Sequence, residues 1–337
     1  MKLAVLNPGG NDPEQNFPDH AGTPSEKEHA PVNFHGYAAC TAGSFHRKDQ
    51  RVPQDTKAVL VLIRRDLKAV RQAIIELRSL GKTVAVAFKE AGAFQVAELL
   101  RKPAQLALAQ EICARAQGAL AATEDLVPLL GALGARTVEF LPTPYPVEDP
   151  RWDFDRPWEE RSGMLVGTRE FNTPSRNHLA ALLALRPLAE AMHEPVTVFN
   201  VDGWRGRRML QVLKYPEGLL RVVEGLRPYP AYLRILSRHK LVFQLDASGV
   251  PGQVAGDALL ARTPCIGGNG TTERLVFPDL CGWGRSHEQL FDLAARLLEH
   301  PHDAGEVIQR ALDAAKDRIS FEKTAGRLEK FFSRIHR

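Results

Sequence analysis

The sequence predicts an α/β fold of two domains, each on a parallel β-sheet, facing each other across a cleft. Three observations predict it. Short apolar runs alternate with helical patterns along most of the chain. The runs are continuously apolar rather than alternating, which suits strands covered on both faces. A proline-rich stretch near the middle separates two such series. At 337 residues the chain is also too long for one small core.

In the first series, "KLAVLN" (2–7), "KAVLVLI" (57–63), "KTVAVAF" (82–88), "GALAAT" (118–123) and "RTVEFLP" (136–142) read as strands. The helix expected over 66–80 places Val70, Ile74, Leu77 and Leu80 on one side, with Asp66 as N-cap and Gly81 as stop. Residues 8–56 interrupt the series. Their length and their Gly, Pro and His content suit a functional loop or mobile lid, with one short helix around 31–41.

The stretch 142–163 reads as a linker, because Pro142, Pro144, Pro146, Pro150 and Pro157 oppose both helix and sheet. Strands at 163–168, 195–200, 219–225 and 240–246 then alternate with helices at 176–192, 204–214 and 228–238. A helix near 286–299 and a terminal helical stretch from about 304 follow. The expected division is a first domain at 1–150, a second at 151–318, and a C-terminal helix, 319–337, packing back on the first.

Composition is that of an ordinary globular protein, with 44% hydrophobic and 25% charged residues. No apolar run approaches the ~20 residues that span a bilayer, and the first residues do not read as a secretory signal. Cys40, Cys113, Cys265 and Cys281 show no CxxC spacing, so the expectation is a cytoplasmic protein without a zinc site. The net charge is +4, with basic clusters at Arg64, Arg65, Lys68 and Arg71 and at Arg205, Arg207 and Arg208. Such clusters suit an anion or a membrane surface as well as a solvated helix face. No nucleic-acid module accompanies them, so nucleic acid is not an expected partner; weak membrane-surface association stays open.

The stretch "FQLDASGVPGQVAGDALLARTPCIGGNGTTERL", 243–275, carries the clearest chemical signal. It reads as strand, glycine loop, helix, short strand and second glycine loop. Glycines let a backbone approach a ligand closely, and a helix start offers N–H groups to an anion. The loop "TREFNTPSRNH" adds Arg169 and Arg176 after the first strand of this series. Arginines beside a glycine loop and a helix start form a diphosphate site. Asp257, between the loops, is either a ribose acceptor or a helix-surface carboxylate.

This layout resembles the GT-B glycosyltransferases, two Rossmann-like domains facing across a cleft, and most of all their family 4 type. The linker entry "VEFLPTPYPVE" is similar to the family's V-x-x-I-P-N-P-V-D. "LVGTREFNTPSR" is similar to its V-G-R…K-G element, whose basic residues bind the donor diphosphate. "GVPGQVAGDALLARTPCIGGNGTTE" lies over its signature E-G-F-G-x-x-x-x-E-A-x-A-x-G-x-P-V-I…G-G-x-x-E without a large gap. The motifs cover about 140–300; the first domain matches by architecture alone.

The resemblance implies retaining, metal-independent transfer of a sugar from a nucleotide donor to an unidentified acceptor, with no cofactor. Arg169 and Arg176 would hold the diphosphate. Gly249 and Gly252 would line the sugar side, and Gly268, Asn269, Gly270, Thr271 and Thr272 the sugar-phosphate pocket. Asp257 would meet the ribose, and Gly9 and Gly10 would close over acceptor and phosphate. Two departures stand out. The first signature glutamate falls at Gly249, leaving Asp246 to supply its contact from a shifted position. The histidine expected at a first-domain strand end is replaced by Lys89 and Glu90, so His20, His29, His35 or His46 would take its place. Glu273 reads as structural. The competing readings are a sugar-nucleotide epimerase or hydrolase, and a non-catalytic nucleotide-sugar-binding protein.

Overall fold

The apolar runs become strands in the computed structural model, which describes residues 1–336. Contacts divide the chain into Met1–Asp149 with Lys316–Arg337, and Pro150–Ala315. The first unit opens with β1 (Leu3–Leu6), β2 (Gln15–Asn16), α1 (Asn33–Ala39) and β3 (Ser44–His46). It continues through β4 (Ala58–Ile63), α2 (Leu67–Ser79), β5 (Thr83–Phe88), α3 (Ala93–Leu100) and α4 (Pro103–Arg115). β6 (Gly118–Ala121), α5 (Leu126–Ala132) and β7 (Val138–Phe140) complete the series.

These strands form one sheet in the order β2-β3-β1-β4-β5-β6-β7. Every neighbouring pair is parallel except β2 with β3. Continuous apolarity follows from burial on both faces. Val59, Val61 and Ile63 of β4 face a core with Val70 and Ile74 of α2 and Ile112 of α4. Leu60 and Leu62 face the opposite core with Phe34 and Tyr37 of α1. Asp66 caps α2 as expected, its Oδ1 accepting from the Ala69 N–H at 3.0 Å.

The expectation of a long lid over 8–56 is corrected. Phe34, Tyr37 and Phe45 are buried, and the Tyr37 hydroxyl donates to the Leu141 carbonyl. Gly43 lies so close to the Leu3 backbone that any Cβ would overlap the Leu3 carbonyl. β2 and β3, of two and three residues, are too short to show a period in sequence.

The second unit holds β8 (Met164–Val166), α6 (His178–Met192), β9 (Val196–Asn200), α7 (Gly203–Val212) and β10 (Leu220–Glu224). α8 (Tyr229–Leu236), β11 (Leu241–Gln244), α9 (Gln253–Leu260) and β12 (Cys265–Gly267) follow. Then come α10 (Thr271–Val276), α11 (His287–Glu299) and α12 (Pro301–Arg318), which belongs to this unit up to Ala315. The sheet is all parallel, in the order β10-β9-β8-β11-β12. Strand order reverses at β8, so the crevice between the carboxyl ends of β8 and β11 is a switch point, where ligands of such sheets bind.

The terminal helical stretch is two helices, α12 and α13 (Phe321–His336). They part at Ile319 and Ser320, where the Ile319 carbonyl accepts from the Tyr145 N–H at 2.8 Å. Leu328, Phe331 and Ile335 of α13 join the first unit's core beside Leu60 and Leu62. Among the described residues, no helix is long and apolar enough to cross a membrane.

Candidate functional site

In the second unit, three loops meet at the carboxyl edge of the sheet. The first leaves β8 through Gly167, where a Cβ would overlap Val254 of α9. Thr168 then pairs with buried His178, Oγ1 to Nδ1 at 3.0 Å. Burial pushes the His178 imidazole down to about 4, so it is neutral near pH 7. Residues Pro174–Arg176 make a 3-10 turn, and Asn177 takes a left-handed φ of 48°, so α6 starts at His178 rather than at 176.

This turn is laced to the strand end of β11. The Ala247 N–H donates to the Ser175 carbonyl at 2.8 Å, and Asn177 Nδ2 donates to the Leu245 carbonyl at 2.9 Å. Arg176 forms an ion pair with the buried carboxylate of Asp246, and its own side chain stays 31% exposed. Asp246 also accepts from the Ser248 N–H at 2.8 Å and from the Ser248 hydroxyl. The carboxylate named as a shifted sugar contact is therefore already held by two residues.

The two glycine loops are bonded to each other. The Gly249 N–H donates to Asn269 Oδ1 at 2.8 Å, and the Asn269 N–H to the Asp246 carbonyl at 3.0 Å. The N–H groups of Thr271 and Thr272 donate to the Val250 and Pro251 carbonyls, each at 3.0 Å. Thr271 and Thr272 are buried, and the Thr272 hydroxyl also donates to the Pro251 carbonyl. Both threonines, expected to line a ligand pocket, instead brace the first loop from below. Gly249, Gly252 and Gly268 all have positive φ, which glycine alone adopts without strain.

Under both loops lies Glu273. Its side chain is buried, Oε1 accepts from Gln244 Nε2 at 2.9 Å, and Oε2 has no hydrogen-bond partner. A Cβ on Gly252 or Gly270 would overlap that free oxygen. Burial pushes the carboxyl up to about 7, Asp246 adds to the rise, and Gln244 and Arg176 oppose it.

Asp257 lies behind the same edge and is 2% exposed. The Tyr229 hydroxyl donates to its Oδ1 at 2.5 Å. Burial pushes Asp257 up to about 7, with the Tyr229 hydroxyl and the nearby Arg169 guanidinium working in the other direction. Asp257 is therefore no helix-surface carboxylate: the carboxyl is covered, and half-buried Tyr229 lies against it. Tyr229 sits 28 residues earlier, with no motif to mark it.

The first unit gathers a separate cluster at the ends of β1 and β5. Gly9, with φ of +69°, and Gly10 turn the chain after β1, and a Cβ on Gly10 would overlap Asn7 Nδ2. Asn7 donates to the Asp12 carboxylate, which pairs with buried Lys89 at 3.1 Å; Glu90 pairs with the same ammonium at 2.9 Å. Burial works to raise the Asp12 carboxyl, and the Lys89 charge and hydrogen bond outweigh it, so the group is held below its ordinary range. Asp12, which spacing did not mark, completes the cluster.

His35 does not stand free beside a phosphate. Its ring stacks on Phe45 at 3.7 Å and lies 3.9 Å from His29, and Nε2 meets the Pro13 carbonyl at 2.9 Å. Burial pushes it down to about 3, with the neighbouring His29 adding to the fall. It is a neutral packing residue at any ordinary pH. Among the described residues, no group of three His, Cys, Asp or Glu side chains is placed to hold a metal ion.

No known family's sequence profile matches this chain, and no curated protein matches it. Solved structures do share its fold. A UDP-forming α,α-trehalose-phosphate synthase from Burkholderia xenovorans superposes with a TM-score of 0.61 at 12% identity, covering 83% of this chain and 74% of that one. A glycosyltransferase from Rickettsia africae gives 0.57 at 10% identity, covering 82% and 76%. The pneumococcal O-GlcNAc transferase GtfA, solved with UDP and GlcNAc, gives 0.54 at 12%, covering 83% and 57%. The fold is GT-B.

Proposed function

We propose that the chain is a glycosyltransferase that moves a sugar from a nucleoside diphosphate donor to an acceptor, retaining the anomeric configuration and using no metal or other cofactor. One observation carries the reading: Arg176, partly exposed, sits where the β8 and β11 loops are laced together at the switch point, beside the start of α9. A positive side chain and a helix N-terminus at one crevice suit a diphosphate. The transferase and synthase names of the three GT-B structures above support the sugar-transfer part of the reading.

In this reading Arg169 and Arg176 bind the diphosphate and stabilise its charge as its bond to the anomeric carbon breaks, the acceptor oxygen bonds there instead, and the acceptor's hydroxyl proton passes to the departing phosphate oxygen. Groups already aimed at developing charge need no reorganisation, which is how such sites lower a barrier. Tyr229, backed by Asp257, meets the ribose. Gly268, Asn269 and Gly270 shape the phosphate wall by backbone, with Thr271 and Thr272 as support.

A second reading, a non-catalytic nucleotide-sugar binder, draws support from Gly249, which puts no carboxylate at the sugar contact, while Asp246 is engaged by Arg176 and Ser248. Incubation with a panel of nucleotide sugars, with and without sugar acceptors, tests both. Acceptor-dependent release of nucleoside diphosphate is the expected result. An altered sugar without acceptor would point to epimerisation, and binding without turnover to the second reading.

A further inference from the structure

The arginine cluster at 205–208 plays no part in the site above, and its helix has an unusual surface. α7 buries only Gly206 and Leu210. At about 100° per residue, Trp204, Arg208 and Val212 point directly away from that buried edge, flanked by Arg205 and Arg207. Trp204 is 59% exposed and Val212 73%. Besides exposed Gln211, this face carries arginine, tryptophan and valine, and α7 contains no acidic residue.

The apolar surface continues onto α6. Leu179 and Leu183, one turn apart, are exposed, as is Met209 on the near side of α7. Phe171, Leu179, Trp204 and Met209 line a cavity of about 370 Å³, and Arg205 and Arg208 share its lining. Both guanidinium groups lie near the Trp204 ring, at 5.7 and 6.0 Å from its centre. The one acid lining this cavity, Asp202, is engaged: its carboxylate accepts from the Phe171 N–H at 2.8 Å and Asn172 Nδ2 at 2.9 Å.

Two kinds of group are therefore offered together: apolar surface for hydrocarbon, and the guanidinium groups of Arg205 and Arg208 for an anion, while Arg207 lies 3.9 Å from Glu224. A free phosphate or sugar phosphate would use only the second. A helix with arginines beside exposed tryptophan and aliphatic side chains fits the boundary of a bilayer, where tryptophan settles at headgroup level and arginine meets lipid phosphate. We infer that the α6–α7 face of the second unit is a docking surface for an anionic lipid bilayer. Arg205 and Arg208 meet the headgroups, with Arg207 at the rim beside Glu224, and Trp204, Met209 and Val212 enter the interface. This goes beyond donor binding: Arg169, Arg176 and the glycine loops take no part, although Phe171 and Asn172 belong to the same β8 loop.

Sedimentation with vesicles of phosphatidylcholine, with or without phosphatidylglycerol, tests the assignment on the full chain. The wild type should sediment with the phosphatidylglycerol vesicles, stay in solution with pure phosphatidylcholine, and be released by salt. Each arginine near such a surface contributes about fivefold in partitioning, so Arg205→Gln, Arg207→Gln and Arg208→Gln together should lower binding by more than tenfold. Trp204→Ala should weaken it several-fold at unchanged melting temperature, because the ring is mostly exposed. Failure of the wild type to bind anionic vesicles, or equal binding by the arginine variant, would overturn the assignment. A dimer in sedimentation velocity that Trp204→Ala dissolves, without vesicle binding, would give the surface to a second copy of the chain instead.

Discussion

Gln244 and Glu273, on β11 and α10, meet beneath the two glycine loops: Nε2 of one donates to Oε1 of the other at 2.9 Å, and the second glutamate oxygen has no partner. A buried carboxyl with one open oxygen is costly once ionised. Glycine at 252 and 270 leaves the space for that oxygen. The residue read from sequence as merely structural is thus the support on which both loops rest.

This arrangement predicts a pH-dependent stability. The folded Glu273 carboxyl lies at about 7, above its ordinary 4.5. Its contribution is full below about pH 4.5 and is lost as pH rises through about 7. Glu273→Gln keeps the acceptor for Gln244 and cannot ionise. The variant should match the wild type near pH 5 and exceed it at pH 8 by about 1–3 kcal/mol in urea unfolding. A stability difference that does not change with pH would remove Glu273 ionisation from the account.

The glycines of the first loop should respond unequally. A Cβ at Gly252, where φ is +90°, would overlap Glu273 and lie 3.0 Å from the Thr272 nitrogen, whereas one at Gly249, with φ of +60°, meets nothing within 4 Å. Gly249→Ala should cost about 1 kcal/mol, from backbone strain alone. Gly252→Ala should cost about 2–4 kcal/mol, strain and overlap together. Equal losses in chemical denaturation would contradict the packing described here.

If Arg176 binds the diphosphate as proposed, its ion pair with Asp246 competes with that ligand. Asp246→Asn removes the charge, keeps the acceptor for Ser248, and leaves the partly exposed guanidinium free. Nucleoside diphosphate affinity should rise about two- to fivefold, a modest gain in keeping with a pair partly in solvent. A tenfold loss by calorimetry would mean that Asp246 holds Arg176 in its binding orientation.

Lys89 has 3% of its side chain exposed and two carboxylate partners. Lys89→Met should cost about 2–4 kcal/mol, because Asp12 and Glu90 lose their counter-charge. The folded Asp12 carboxyl is depressed below 3.8, so its contribution is present above that pH and lost as pH falls through its folded value. The penalty of the variant should therefore shrink on acidification, as melting temperatures at low and neutral pH would show.

The strands and both sheets were legible because strands covered on two faces are continuously apolar, as in β4, "AVLVLI". β2 and β3 were not, being two and three residues long. The break between α12 and α13 carries no glycine or proline; Ser320 marks the start of α13, its Oγ accepting from the Lys323 N–H at 3.4 Å, and the Tyr145–Ile319 bond is distant in sequence. At the site, glycines and arginines announced two loops and a charge. What remained hidden were side-chain partners that no motif marks: Asp246 is 70 residues from Arg176, and His35, offered in place of the family histidine, stacks on Phe45. Local motifs give the loops; only packing decides which groups stay free.

The proposed function puts a nucleoside diphosphate in the crevice between β8 and β11, held by Arg169 and Arg176. Titration calorimetry with UDP, GDP and ADP, on the wild type and on Arg169→Ala and Arg176→Ala, tests it most directly. At least one nucleoside diphosphate should bind, and each substitution should weaken it by about 1–3 kcal/mol, the worth of a hydrogen bond to a charged group. Unchanged affinity in both variants, or no binding of any of the three by the folded wild type, would contradict it.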